Sequence, residues 1–198
     1  MFQKLGILYI GSTGEAENKM TERMCSMFQV GDVVVYGSTG VCEVVDIGPL
    51  DLPGMSKERE YYTLRPFYEE RSRVFTPVDG QKVILRAVLT KKEALELIDQ
   101  IREIGILTIT NEKQRETEYK ACFLKCNCTE LVKMLNTIHQ RKEERLAHGK
   151  RPTAKDERYC HMAEENLFGE LAVALKIEKG RVKEFIHDRL ERHVEAAG

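Results

Sequence analysis

At Thr90 the hydrophobic period changes, and this constrains the fold more than any other feature of the chain. Upstream, β-branched and aromatic residues come in short runs separated by turn residues. Val30-Gly31-Asp32-Val33-Val34-Val35-Tyr36 predicts a strand, Gly37-Ser38-Thr39-Gly40 a turn, and Val41-Cys42-Glu43-Val44-Val45-Asp46-Ile47 a returning strand, hence a hairpin. After a loop with Pro49, Pro53 and Gly54, two more short strands are expected at Glu60–Pro66 and Arg73–Val78, with Pro66 and Pro77 at strand ends or edges. Four or five short strands in so little chain suggest a small barrel.

Downstream the period is helical. Thr90-Lys91-Lys92-Glu93 matches a capping box ahead of Ala94, Leu95, Leu97, Ile98 and Ile101, in a helix that Gly105 should end. Further helices are expected over Glu112–Lys125, Thr129–Ala147, Thr153–Leu175 and Gly180–Val194, with Leu131, Leu135 and Ile138, then Leu167, Leu171 and Leu175, as bundle core. The predicted class is α+β, with a β-domain over residues 27–90 and an all-α domain over 91–198.

Residues 1–26 show no clean period. Met1-Phe2-Gln3 and Gly11-Ser12-Thr13-Gly14 return at the same spacing as Met27-Phe28-Gln29 and Gly37-Ser38-Thr39-Gly40. A chance match, a start codon upstream of a natural start at Met27, and a short duplication all fit, and the segment is expected to be dispensable.

With 42% apolar and 32% charged residues the chain can build one sizeable core or two small ones. It has no apolar run near the roughly 20 residues of a membrane span, and its start is unlike a secretory signal, so a cytoplasmic protein is expected. The formal charge of −1 leaves no overall basic field, so any nucleic-acid contact must be local. Between Lys113 and Arg158 there are twelve basic residues against seven acidic ones, densest at Arg141-Lys142, Arg145, Lys150-Arg151, Lys155 and Arg158. Such an edge could bind phosphates, but by composition alone the interleaved Glu143, Glu144, Asp156 and Glu157 favour a plain solvated face.

No phosphate loop, nucleophile elbow or metalloprotease helix appears, so no enzymatic activity is expected. Reduced thiols are expected for the six cysteines. Cys122, Cys126 and Cys128 with distant Cys160-His161 form an irregular zinc-ligand pattern, and the reading without metal is preferred: Cys122 as a core thiol, Cys126-Asn127-Cys128-Thr129 as a turn ending in a Thr cap. No cofactor is expected.

Met27-Phe28-Gln29-Val30-Gly31-Asp32-Val33-Val34-Val35-Tyr36, followed by Gly40-Val41, resembles the opening of the CarD/CdnL family's polymerase-interacting domain and the Tudor-like domain of the transcription-repair coupling factor. Tyr61-Tyr62-Thr63-Leu64 and Val74-Phe75-Thr76-Pro77-Val78 resemble the family's later strands, and Asn166-Leu167-Phe168-Gly169-Glu170-Leu171-Ala172 the end of its helical domain. The resemblance spans about residues 27–175. It implies a Tudor-like barrel that binds the RNA polymerase β subunit, with Arg65, Arg71, Arg73 and Phe75 as candidates. It also implies a helical domain on promoter DNA that tunes open-complex lifetime without reading an operator, in a monomer located at the nucleoid through polymerase. The candidate DNA contacts are Lys113, Arg115, Arg141, Lys142, Arg145, Lys150, Arg151 and Arg158.

Two departures stand out. Family members commonly carry a Trp wedge, whereas this chain has no Trp and the corresponding stretch, Asn111–Glu116, has no ring. Phe75 stands where some relatives have Arg, a role that Arg73 is then expected to take. A polymerase-bound adaptor without DNA contact and a thiol or zinc sensor are the alternative functions.

Overall fold

The structure, a computed structural model, describes residues 28–53, 56–69, 71–80, 82–109 and 111–197, with side chains described as far as 192. The expectations for residues 1–26 lie outside them. Five strands, β1 (Val33–Tyr36), β2 (Gly40–Pro49), β3 (Glu60–Pro66), β4 (Val74–Pro77) and β5 (Leu85–Ala87), form one antiparallel sheet in the order β4-β3-β2-β1-β5. No ladder joins β4 to β5 among the described residues, so the sheet is open where a closed barrel was expected. Both edges are short, and Pro77 in β4 offers no N–H to a further strand.

The entry to the sheet shows why Gly31-Asp32 precedes the first strand. Gly31 sits at φ +95°, the Asp32 carboxylate accepts the Gln29 N–H at 2.8 Å, and the Gly31 N–H reaches the Val44 carbonyl at 2.8 Å. The chain thereby turns directly into register with β2. In the 3-10 turn Gly37–Thr39 that joins β1 to β2, the expected hairpin is realised. Gly40 closes it at φ +82° and ψ −145°, where a Cβ would also stand 2.9 Å from the Asn166 side chain.

A bulge between Val44 and Asp46 resolves the double valine of β2. Val44 opposes Leu64, and Ile47 opposes Tyr62; the extra residue returns Ile47 to the inner face, which simple alternation would have assigned to Asp46. That face carries the sheet's own core: Phe28, Val34, Cys42, Val44, Tyr62, Leu64 and Leu85 are buried together. The Phe28 N–H donates to the Tyr62 hydroxyl at 3.1 Å, and the two rings meet edge to face. Burial, aided by the Glu69 charge, pushes the Cys42 thiol up to about 12.

Five helices follow: α1 (Lys91–Gln100), α2 (Arg115–Leu124), α3 (Cys128–Ala147), α4 (Ala154–Leu175) and α5 (Val182–Ala197). The capping box at Thr90 and Glu93 is formed. Helix α1 stops about four residues before Gly105, because Asn136 of α3 takes the Ile104 carbonyl at 2.7 Å and Thr137 accepts the Leu107 N–H at 2.8 Å. These bonds draw the chain off the helix axis. The cap of α3 is Asn127, whose side chain accepts the Thr129 N–H, while Thr129 itself lies inside the helix; Thr153 caps α4. The helical core includes Ile98, Tyr119, Met134, Leu167, Leu171 and Val182, and Arg189 of α5 grips Asp99 of α1 at 2.6 and 2.8 Å.

Candidate functional site

Strand register divides the second face of the sheet into two halves. Alternation places Val35, Val41, Glu43, Thr63, Arg65, Phe75 and Arg86 opposite the core face. The half with Val35 and Val41 packs on Cys126 and Val173 of the helical unit. Arg86 crosses this contact. Its guanidinium meets the Glu170 carboxylate fork to fork at 2.6 and 2.8 Å and donates to the Cys126 carbonyl at 2.6 Å, while Leu89 N–H reaches the same carboxylate at 3.0 Å. Burial opposes the Arg86 charge, but the Glu170 hydrogen bonds and charge outweigh it and raise the pKa. Burial and the Glu170 charge hold the Cys128 thiol well above its usual range, so it remains an S–H donor, 3.0 Å from Glu170.

A second clasp lies beside the first. The Tyr68 hydroxyl donates to the Gly169 carbonyl at 3.0 Å, its ring occupies the space a Cβ at 169 would fill, and the Lys179 ammonium lies 4.3 Å from the ring centre. None of Arg86, Glu170, Tyr68 or Lys179 stands out as a site in the sequence. The available signal was a charged residue, Glu170, inside the Leu167–Leu171 core stripe.

Among the described residues, no helix covers the other half of the face. Arg65 stands opposite Glu43 and pairs with it, Phe75 opposes Thr63, and all four side chains are half-buried. Arg73 precedes β4 and is exposed, donating to the Ser72 carbonyl at 2.8 Å; Arg71 is exposed in the loop before it. Of the polymerase candidates, Arg65 and Phe75 therefore share the surface, and Arg71 and Arg73 flank its edge.

At the far end of the helical unit, the start of α2, the end of α3 and the start of α4 meet in a charged tip. Several cations named from the sequence are engaged there. Arg115 is buried between Glu112 and Asp156, so it offers no charge to an outside phosphate. Arg141 pairs with Glu112 at 2.7 Å and faces Asp156 at 3.8 Å. Arg145 donates to the Arg151 carbonyl at 2.8 Å. Glu116 gathers Lys155, Lys120 and Arg158 at 2.7, 3.2 and 3.5 Å, and the bonds from Lys155 and Lys120 hold its carboxyl at about 2. Lys113, Lys142, Lys150 and Arg151 are exposed, with no side-chain ion pair among the described residues.

The four cysteines of the sequence pattern are not assembled. Cys126 and Cys128 lie at the sheet contact, and Cys122 is buried at the α2 side of the helical core, where burial lifts its thiol to about 11. Cys160 lies apart, on α4, close to His139 and Glu164. No described helix is long and apolar enough to cross a membrane.

The described residues thus form an open antiparallel sheet with one face half covered by the helical unit. Residues 28–89 match the family model of the CarD-like/TRCF RID domain, a match that begins at the Phe28 anchor and ends at Leu89, beside Glu170. Residues 28–89 of the chain therefore form a CarD-like/TRCF RID domain. No curated protein matches the chain.

Proposed function

We propose that this chain is a non-catalytic transcription regulator that binds the RNA polymerase β subunit through the open half of its sheet face and sets open-complex lifetime by laying its helical tip on promoter DNA. The observation that carries the reading is the uncovered Arg65–Phe75 surface within a CarD-like domain whose opposite half is locked to the helical arm by Arg86 and Glu170. Docking such a sheet also fixes the direction of the arm, and tethering raises the effective concentration of a weak DNA contact. A Tudor-like descent of the sheet and a monomeric, nucleoid-associated protein belong to the same proposal. With no Trp in the chain, the contact is electrostatic, through Lys113, Lys142, Lys150 and Arg151, without a wedge.

The direct test is retention of full-length protein on immobilised β subunit. Arg65→Ala combined with Phe75→Ala should weaken retention at least about tenfold, a loss of roughly 1.4 kcal/mol, in protein whose urea unfolding curve shows that it remains folded. Undiminished retention removes the open face from the account. An adaptor that leaves DNA alone is the second reading, favoured by the internal engagement of Arg115, Arg141 and Arg158. Open-complex lifetimes insensitive to the tip cations would establish it.

A further inference from the structure

We propose a zinc site formed by His139 of α3 with Cys160 and Glu164 of α4. The ligand atoms of these three side chains all lie within 4.8 Å of one another. Around a tetrahedral zinc ion, with bonds of about 2.0 to 2.3 Å, ligand atoms stand roughly 3.5 Å apart, so closure requires only small side-chain rotations. Cys160 and Glu164 are one helical turn apart and project over the same face of α4, while His139 comes from the facing helix. The metal would join α3 to α4.

The surroundings support a bound ion independently of that spacing. The three residues line a hollow of about 270 Å³ at the α3–α4 contact. His161 and Glu157, also on α4, line the same hollow, and the fourth position of the ion can be filled by water. His139 is exposed, and Cys160 and Glu164 are half-buried, so an ion can enter from solvent. A thiolate, a carboxylate and a neutral imidazole together neutralise a divalent ion. Lys142 of α3 and Lys183 of α5, which also border the hollow, therefore face no net added charge, and Glu157 and Asp156 offset them further. Mixed sulfur, nitrogen and oxygen ligands suit zinc and exclude calcium or magnesium, which require oxygen sets. This set shares only Cys160 with the irregular pattern in the sequence, because the fold sends Cys122, Cys126 and Cys128 elsewhere.

The experiment uses the full chain, stripped with a chelator and then titrated with zinc chloride in competition with a chromophoric chelator. One zinc per chain is expected, and cobalt in its place should give a thiolate-to-metal charge-transfer absorption. Cys160→Ser and His139→Ala should each weaken zinc binding at least about 100-fold, since loss of even an outer-shell partner costs about 10- to 100-fold. Cys25→Ser and Cys122→Ser should bind as the parent does. Unfolding curves without metal should coincide for parent and His139→Ala, which alters an exposed side chain. Substoichiometric zinc, an absent charge-transfer band, or full zinc retention in Cys160→Ser or in His139→Ala overturns the proposal.

Discussion

Arg86 and Glu170, 84 residues apart in the chain, meet in a two-bonded ion pair that joins the last strand of the sheet to the C-terminal half of α4. Their side chains are only 12% and 3% exposed, so neither charge has water to fall back on if its partner is removed. Glu170→Gln should therefore lower unfolding free energy by about 3 kcal/mol, the range for a broken buried pair. Replacing both residues with Met should recover part of the loss, the remainder reflecting the Leu89 N–H and Cys126 carbonyl left without partners, at about 1 kcal/mol each. Urea unfolding of Arg86→Met, Glu170→Met and the double Met variant measures this coupling.

The same pair bears on how an isolated sheet behaves. A fragment of residues 27–90 keeps the core around Phe28, Cys42 and Tyr62 but uncovers Val35 and Val41 and strips Arg86 of its partner. It should bind β subunit with nearly the affinity of the whole chain while unfolding at lower urea. Equal midpoints for the fragment and the full chain would mean that the sheet–helix contact contributes nothing to stability.

Acid should loosen the charged tip first. The Glu116 carboxyl is held at about 2, against an ordinary 4.5, by Lys155 and Lys120. A depressed carboxyl contributes stability above its unfolded value and loses that contribution as pH falls from about 4.5 toward 2. Glu116→Gln should thus lower thermal stability above about pH 4.5 and converge on the parent as pH falls toward 2, which flattens the acid limb in this window. Melting curves at stepped pH read the difference; identical acid limbs would show that the cluster around Glu116 is energetically silent.

The tip cations should separate into two groups. Ala in place of Lys142, Lys150 or Arg151 should leave stability within about 0.5 kcal/mol, as for surface sites. Each one that touches phosphate should flatten the slope of log affinity against log salt by about 0.9. Arg141→Ala should instead cost about 1 kcal/mol of stability, because Glu112 loses the hydrogen bond from Arg141 and Asp156 loses a neighbouring positive charge. Promoter-complex binding over a salt series, alongside urea unfolding, distinguishes the groups.

Local chemistry alone determined much of this protein. Thr90 and Glu93 form the capping box because it needs nothing beyond four consecutive residues, and the Gly37–Gly40 turn, the β1–β2 hairpin and the Leu167–Leu171 stripe depend on near neighbours in the same way. The CarD-like domain was legible because its strand text is contiguous. Only the tertiary structure decided which charges are free. Arg115 and Arg151 have the same side chain and both lie in basic text, yet one is buried against Asp156 and the other faces solvent, since α2 packs beside the start of α4. The Arg86–Glu170 lock, the uncovered half of the sheet face and the meeting of His139 with Cys160 and Glu164 have the same origin. Each joins residues that share no local period, and their proximity is set by how the sheet and helices bury their apolar faces against one another.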